Sequence, residues 1–250
     1  MLVMQLLALT AALQGTQDFR WSGVIAPGKT IEIKGVNGDI RAVSTSGNQV
    51  EVTAAKRARR SDPASVELRV VTTSAGVTIC ALYPSRRREN TCEAGSGGQS
   101  SDNNDVTVNF EIKVPAGVKF EGRTVNGSVT ATGLHADAQA STVNGSVEVE
   151  TDGEAEAETV NGNVKVDMGR IDGSGAMRFS TVNGRIDVSI PAGAGLNVSA
   201  NTTNGDISTD FPLTVRGRFG PRQLSGTIGG GGRSLSLSTV NGDIELHKRD

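Results

Sequence analysis

Aromatic side chains are scarce in this chain of 250 residues, where they make up 3% of the composition beside 32 glycines. A compact globular core normally uses more large side chains, whereas the thin core of a stacked β-repeat needs fewer. The sequence also offers few aromatic rings to stack on bases, and its net charge is only -2. Nucleic acid is therefore disfavoured as a partner.

Histidine and recognisable catalytic motifs are equally sparse. The two histidines, His135 and His247, lie far in sequence from the two cysteines, Cys80 and Cys92, so the sequence has no zinc-site spacing. It also lacks a Gly-rich phosphate loop, a dinucleotide fingerprint and the residue order of a Ser-His-Asp triad. We therefore predict no catalytic residues, no metal and no cofactor.

Long apolar runs are absent beyond residues 1–15. That run is too short for a stable transmembrane helix but has the length of a signal peptide, although it lacks the usual basic residues at its start. It predicts export to the periplasm, the cell envelope or the extracellular space, with no membrane-spanning segment. The alternative is an apolar N-terminal element that packs on the body of the protein.

What the chain has in abundance is the motif Val-Asn-Gly-x-Val/Ile. From residue 126 onward its copies recur every 16 to 22 residues, and Leu224–Ile228 is a degenerate copy without the Asn. A period near 20 with strand-forming residues predicts a stacked β-repeat. The Asn-Gly pairs are Asn37-Gly38, Asn126-Gly127, Asn144-Gly145, Asn161-Gly162, Asn183-Gly184, Asn204-Gly205 and Asn241-Gly242.

Asn-Gly between apolar residues is normally a signal for a β-hairpin. A hairpin would place Val143 opposite Ser146, and the same mismatch of apolar and polar residues recurs in other copies, so neither face would be cleanly apolar. Straight alternation through the motif instead places the leading Val, the Gly and the two following apolar residues on one inward face. It leaves Thr and Asn pointing outward.

A second short strand precedes each motif and has its own inward pair, such as Ala138 and Ala140, or Met177 and Phe179. Its alternation is opposite to that of the motif, which predicts a bend at the intervening Ser-Thr or Glu-Thr step. We therefore predict an all-β fold, a parallel β-helix (β-solenoid) of roughly 20-residue coils, with an antiparallel sandwich as the alternative. Residues 19–250 would form one domain, with N-terminal strands and loops in 19–118 and regular repeats in 119–250.

Two structural roles follow for these residues. Asn side chains stacked coil upon coil can hydrogen-bond as a ladder, and Asn also tolerates a left-handed turn, so the two interpretations are compatible. An even pair of cysteines in an exported chain predicts a disulfide between Cys80 and Cys92, with two free thiols as the alternative.

The order of these pieces resembles the bacterial family of putative adhesins with DUF4097-type β-strand repeats. The matching pieces are Pro27-Gly28 followed by residues 31–40, then residues 106–118, the Thr-Val-Asn-Gly series and the closing residues 235–246. The resemblance implies a β-helical protein that is exported or belongs to the envelope. It implies little about activity.

We therefore expect a non-enzymatic, exported β-solenoid, an adhesin or envelope scaffold that presents a repetitive polar surface to an envelope polysaccharide or another surface protein. One alternative is a polysaccharide-acting lyase or hydrolase, for which the candidates are Asp152, Asp167, Asp172, Asp187, Arg170 and Arg185. Another is a self-assembling scaffold with an open sheet edge. The basic clusters at residues 56–60 and 86–88 either bind anionic polymers or are solvated loops.

Overall fold

The computed structural model describes residues 18–86, 89–95, 101–171, 177–220 and 222–249. Residues 1–15, the proposed signal peptide, lie outside the described residues, as do Arg87, Arg88 and Asp172. A short 3-10 turn spans Pro63–Ser65. The strands are β1 Asp18–Gly23, β2 Thr30–Lys34, β3 Ile40–Thr45, β4 Val50–Arg57, β5 Glu67–Thr73, β6 Gly76–Leu82, β7 Thr107–Pro115, β8 Lys119–Arg123, β9 Val129–Leu134, β10 Ala138–Ser141, β11 Val147–Thr151, β12 Ala155–Glu158, β13 Val164–Met168, β14 Met177–Ser180, β15 Ile186–Pro191, β16 Leu196–Asn201, β17 Ile207–Thr209, β18 Leu213–Gly220, β19 Gln223–Ile228, β20 Arg233–Ser238 and β21 Ile244–Arg249.

The strands form two sheets that face each other across a narrow core. Sheet A has the order β1-β4-β7-β3-β9-β11-β13-β15-β21-β17, and sheet B has the order β18-β19-β16-β20-β14-β12-β10-β8-β2-β6-β5. Each coil crosses from a strand of sheet B, through an Asn-Gly corner, to a strand of sheet A. Adjacent coils pair in parallel, as β11 and β13 do with Val147 opposite Val164. The predicted parallel β-solenoid is confirmed, and the antiparallel sandwich is wrong.

The core is filled by the alternate side chains of both sheets. Val164 and Ile186 of sheet A are fully buried, and so are Ala157 and Phe179 of sheet B, which belong to the inward pairs upstream of the motif. β-Branched and small apolar side chains suit this space because a solenoid core is only two side chains thick. The low aromatic content of the chain is therefore compatible with a continuous core.

The coils do not stack in the order of the sequence. β20 and β21, the last coil of the chain, lie between the β14–β15 coil and the β16–β17 coil in both sheets. The degenerate copy at Leu224–Ile228 is not a corner, because it lies in β19, which pairs antiparallel with β16. The interpretation of residues 119–250 as an uninterrupted series of coils is therefore wrong for residues 213–228.

Antiparallel strands extend the parallel stack at both ends. At one end β4 and β1 add to β7, and β5 adds to β6. At the other end the β18–β19 hairpin adds to β16, whereas in sheet A the outermost strand is the three-residue β17. A second solenoid would stack end to end on an open edge strand that continues the parallel repeat over the length of a coil. Among the described strands, β17 is the one parallel strand at a sheet edge, and it is only three residues long.

Candidate functional site

Each corner from residue 124 onward starts with a buried threonine, whereas the first corner has Gly35 at this position. The Thr hydroxyl donates a hydrogen bond to the carbonyl oxygen of the motif Gly in the adjacent coil, as in Thr142 to Gly127 at 2.8 Å and Thr159 to Gly145 at 2.8 Å. These hydrogen bonds satisfy the Gly carbonyl oxygens, which the turn directs away from the backbone hydrogen bonds of the sheet. The buried threonines at the corners are Thr124, Thr142, Thr159, Thr181, Thr202 and Thr239.

The leading Val of the motif occupies the opposite side of the backbone from the one predicted. Val143, Val160, Val182 and Val240 are 38% to 40% exposed, and only Val36 of the first coil is buried. Buried and exposed positions alternate along the upstream strand and on through the Thr and the Val. The alternation shifts at Asn-Gly, so the bend lies there and not at the Ser-Thr step. The predicted inward Val and outward Thr are therefore wrong. We call the four exposed residues the Val column.

The motif asparagines lie beside the Val column in a single row, which we call the Asn ladder. Neighbouring asparagines are bridge partners in parallel, and every motif asparagine except Asn37 donates from its side-chain Nδ2 to the Oδ1 of an asparagine in an adjacent coil at 2.7 to 2.9 Å. Six of these residues are exposed, and Asn37 is half-buried. The order in space is Asn37, Asn126, Asn144, Asn161, Asn183, Asn241 and Asn204.

The ladder leaves unused hydrogen-bonding capacity on the surface. An Asn amide has two N–H donors and an oxygen with two lone pairs, and a ladder bond uses one donor and one lone pair. Each exposed Asn can therefore present one N–H and one lone pair to solvent. Because coils repeat at the strand spacing of about 4.8 Å, these groups and the Val methyls form a regular one-dimensional array.

The residue after the motif Gly reinforces several of the corners. There its side chain accepts a hydrogen bond from the backbone N–H of the adjacent coil: Asp39 accepts from Ser128 at 2.8 Å, and Asn163 accepts from Arg185 at 2.9 Å. Asp243 likewise accepts from Asp206 at 3.0 Å. Three acidic residues, Asp39, Asp206 and Asp243, thus stand beside the Asn ladder.

A basic groove lies at the end of the stack where the ladder begins. Arg57, Arg59 and Arg60 are exposed and line a groove of about 860 Å³ together with Asn103 and Asn104. Sequence patterning singled out the basic run, but not the distant Asn103–Asn104 segment that completes the groove.

The described residues considered for glycoside chemistry are engaged in ion pairs. Asp152 pairs with His135 at 2.7 Å, Arg170 pairs with Asp137 at 3.1 Å, and Arg249 Nε lies 2.8 Å from Asp167 Oδ1. Arg185 pairs with Asp243 and Glu245 at the corner end of sheet A. Arg249 Nη2 also lies 3.5 Å from Asp152 Oδ1, so Arg249 bridges Asp152 and Asp167.

His247 lies close to three carboxylates. His247 Nδ1 lies 3.0 Å from Asp210 Oδ2, and its Nε2 lies 3.5 Å from Glu245 and 3.9 Å from Asp187. The hydrogen bond with Asp210 raises the pKa of His247 and lowers the pKa of Asp210. Asp187, Glu245 and His247 offer ligand atoms within 4.8 Å of one another, so they are the described groups that could hold a divalent cation.

This cluster predicts a pH dependence of stability. A His with a raised pKa in the folded state contributes stability that is fully present below its unfolded pKa of about 6.5 and is lost as the pH rises through the folded pKa. We therefore expect wild type to melt higher than His247→Gln at about pH 5, and the difference to shrink by about pH 8. Thermal melting across this range measures it, with Asp210→Asn as the matched variant that should flatten the dependence. A difference independent of pH would contradict the assignment.

The predicted disulfide is present between Cys80 and Cys92. It ties residues 89–95 over the outer face of sheet B, where Lys34 Nζ donates to the backbone oxygens of Glu93 and Gly95, each at 2.6 Å. The Lys34 ammonium also lies 3.4 Å from the buried Glu32 carboxylate. The disulfide segment therefore shields a buried ion pair from water.

Removing the disulfide should destabilise the protein. A closed loop of this length is worth about 3 kcal/mol in the loop-entropy model, so we expect Cys80→Ser/Cys92→Ser to lose about that much free energy of unfolding in urea titrations. Thiol alkylation of the unreduced native protein should label neither cysteine. Two labelled thiols in exported wild-type protein would contradict both the pairing and its predicted contribution.

The family model described as Toastrack DUF4097 matches residues 116–247. No curated protein matches the chain at a significant level. Within the residues that the structure describes, no helix combines the length and the apolar character needed to cross a membrane.

Three solved structures of low identity are similar in outline. A "putative cell adhesion protein" from Clostridium sporogenes ATCC 15579 is 11% identical, with a TM-score of 0.44 over 93% of this chain and 100% of that one. A "putative adhesin" from Bacteroides fragilis NCTC 9343 is 7% identical, with a TM-score of 0.24 over 94% and 98%. A "putative adhesin" from Parabacteroides distasonis ATCC 8503 is 12% identical, with a TM-score of 0.28 over 94% and 98%.

Proposed function

Since this chain belongs to the Toastrack DUF4097 family, whose model matches residues 116–247, we propose that it is a non-enzymatic, exported adhesin-like protein. Its binding surface is the corner that carries the Asn ladder and the Val column, and its ligand is a polysaccharide of the envelope or of another cell surface. The disulfide between Cys80 and Cys92 supports export, because disulfides persist in oxidising compartments.

The observation that carries the proposal is that two columns of exposed side chains run side by side along the corner: the amides of the Asn ladder and the methyl groups of the Val column. Exposed amides offer hydrogen-bond donors and acceptors to sugar hydroxyls, and the adjacent valines offer methyl groups to the C–H faces of sugar rings. Val143, Val160, Val182 and Val240 are 38% to 40% exposed beside the ladder, which is unusual for residues that elsewhere in the fold fill the core. A repeating polymer can engage several coils at once, so weak contacts add up.

The enzyme alternative needs an acid and a base or nucleophile facing each other across a substrate, with carboxyl groups about 5 to 9.5 Å apart. The described candidates are instead held in ion pairs: Arg249 bridges Asp152 and Asp167, and Asp187 lies beside His247. End-to-end self-assembly is likewise disfavoured by the antiparallel strands β1, β5 and β18 at the sheet edges. Binding without turnover is the simpler use of this surface.

Glycan-array binding of the mature protein tests the proposal. We compare wild type with Val160→Gln/Val182→Gln, which removes methyl groups from the Val column without adding charge. The matched control is Ser199→Gln/Ser236→Gln on the outer face of sheet B, where these residues are register partners. We expect wild type and control to bind the same polysaccharides, and the Val-column variant to lose at least about tenfold in affinity, or 1.4 kcal/mol.

Two outcomes would overturn the proposal. One is the absence of any polysaccharide binding by wild type. The other is equal binding by the Val-column variant and wild type, which would move the binding surface away from the corner. Release of shorter oligosaccharides from a bound polymer during prolonged incubation would favour the enzyme alternative instead.

A further inference from the structure

The basic groove holds three guanidinium groups without carboxylate partners. Arg57, Arg59 and Arg60 are exposed, and none forms an ion pair among the described residues. The groove has a volume of about 860 Å³, which is within the range of known ligand sites of about 300 to 1,000 Å³. Unpaired arginines that converge on one concavity favour an anionic ligand.

Backbone contacts fix the loop that carries these arginines. The Asp105 carboxylate accepts hydrogen bonds from the N–H groups of Arg60 at 3.0 Å and Ser61 at 2.8 Å, which lowers the pKa of Asp105. The neighbouring Lys56 ammonium donates instead to the Val66 carbonyl at 2.5 Å, and burial lowers the pKa of Lys56. The positive charge of the groove therefore comes from the arginines on a loop that is already in position.

The basic groove is continuous with the Asn ladder. Asn104, Asp105 and Thr107 line both the basic groove and a neighbouring space of about 660 Å³, which reaches Asn37 and Asn126 at the first rungs of the ladder. A polymer that lies along the ladder would therefore pass into the arginines at this end of the stack.

Charges along the corner decide what kind of anion fits. Asp39 and Asp206 stand beside the ladder, and Asp105 lies in the groove itself, so a dense polyanion along the corner would meet repulsion at these positions, whereas Asp243 is paired with Arg185. A mostly neutral chain with widely spaced carboxylates meets that repulsion only where it carries charge. Its carboxylates would be satisfied at the arginines, and its neutral sugars at the amides and valines.

We propose that the ligand of the corner is an acidic polysaccharide with isolated uronate carboxylates, and that Arg57, Arg59 and Arg60 bind those carboxylates in the basic groove. This inference rests on the proposed function, because it assigns the chemical class of the polymer that the Asn ladder binds.

The test compares two charge-matched triple variants against defined probes. Arg57→Gln/Arg59→Gln/Arg60→Gln removes the groove arginines, and Arg20→Gln/Arg41→Gln/Arg178→Gln removes three exposed arginines elsewhere. The probes are hyaluronan oligosaccharides, which carry one carboxylate per two sugars, their carboxyl-reduced neutral derivative, and inorganic polyphosphate. Circular dichroism melting confirms that both variants fold, and titration calorimetry measures affinity at several salt concentrations.

We expect wild type and the control variant to bind hyaluronan oligosaccharides at least about tenfold more tightly than the groove variant does, with a steeper dependence on salt. The groove variant should bind hyaluronan and the carboxyl-reduced derivative equally. No hyaluronan binding by wild type, equal hyaluronan binding by groove variant and wild type, or tighter binding of polyphosphate than of hyaluronan would each overturn the inference.

The Val-column variant separates failure of this inference from failure of the proposed function. If Val160→Gln/Val182→Gln weakens binding of the carboxyl-reduced derivative while the groove variant binds hyaluronan as wild type does, the corner function stands and the anionic ligand is wrong. If only the groove variant weakens hyaluronan binding, the groove binds carboxylates but the corner is not the polymer surface.

Discussion

Val164→Asp should unfold the protein. Val164 is fully buried in β13 between its register partners Val147 and Ile186. An uncompensated buried charge costs about 3 to 5 kcal/mol, which is comparable with the entire stability of many domains, about 5 to 15 kcal/mol. We expect Val164→Asp to be insoluble or to lack a cooperative thermal transition in circular dichroism.

The matched control is Lys165→Gln, one residue away on the solvent side of the same strand. It removes only an exposed ion pair with Glu148, and such pairs are worth about 0 to 1 kcal/mol. Its melting temperature should stay close to that of wild type. Equal destabilisation by the two substitutions would contradict the inward and outward assignment of β13.

Gly145→Ala should strongly destabilise the corner. Gly145 has φ +155, and a Cβ there would overlap the carbonyl oxygen of Gly127 in the adjacent coil. Ala would therefore have to adopt an unfavourable backbone conformation and also push two coils apart. Strain in such regions alone costs about 1 to 3 kcal/mol, so we expect a loss of about 3 kcal/mol or more in urea titrations.

Gly193→Ala is the matched control for this effect. An added Cβ at Gly193 would meet no atom within 4 Å. Alanine at an unstrained Gly position stabilises by about 0.4 to 1 kcal/mol through the unfolded chain. A Gly145→Ala protein as stable as Gly193→Ala would mean that the coils are not packed as closely at the corner as described.

The repeat itself was predictable because one physical pattern recurs in every coil. Val-Asn-Gly-x-Val predicted the parallel stack, and the buried pairs such as Met177 and Phe179 were placed correctly on the core face. Short-range alternation suffices for such residues, since a strand that buries one face must keep its side-chain register.

The position of the bend was not predictable from alternation alone. Thr and Val are both β-branched, so either could face the core at Thr142-Val143, and the decisive term is a hydrogen bond from Thr142 to Gly127 in another coil. A threonine precedes each Asn-Gly motif at the same distance from residue 124 onward, and this regularity was the available signal. Its meaning depends on a neighbour that the local sequence does not identify.

Coil order and the basic groove depend on long-range packing. The motifs at Asn183, Asn204 and Asn241 are nearly equivalent, so local sequence cannot decide which of them are neighbours. The missing Asn in Leu224–Ile228 removes a rung of the ladder, which is compatible with the antiparallel position of this segment in β19. Arg57 and Asn104 likewise meet in one groove only because β4 and β7 pair.

The direct test of the stacked corner is nuclear magnetic resonance of hydrogen bonds between Asn side chains. Scalar couplings across hydrogen bonds connect a donor N–H to the carbonyl carbon of its acceptor. The structure predicts a correlation from Asn241 Nδ2–H to the side-chain carbonyl carbon of Asn183, and another from Asn204 Nδ2–H to the side-chain carbonyl carbon of Asn241. The corresponding distances from Nδ2 to Oδ1 are 2.7 and 2.8 Å. A correlation from Asn204 directly to Asn183, with none involving Asn241, would contradict the inserted last coil and with it the ladder described here.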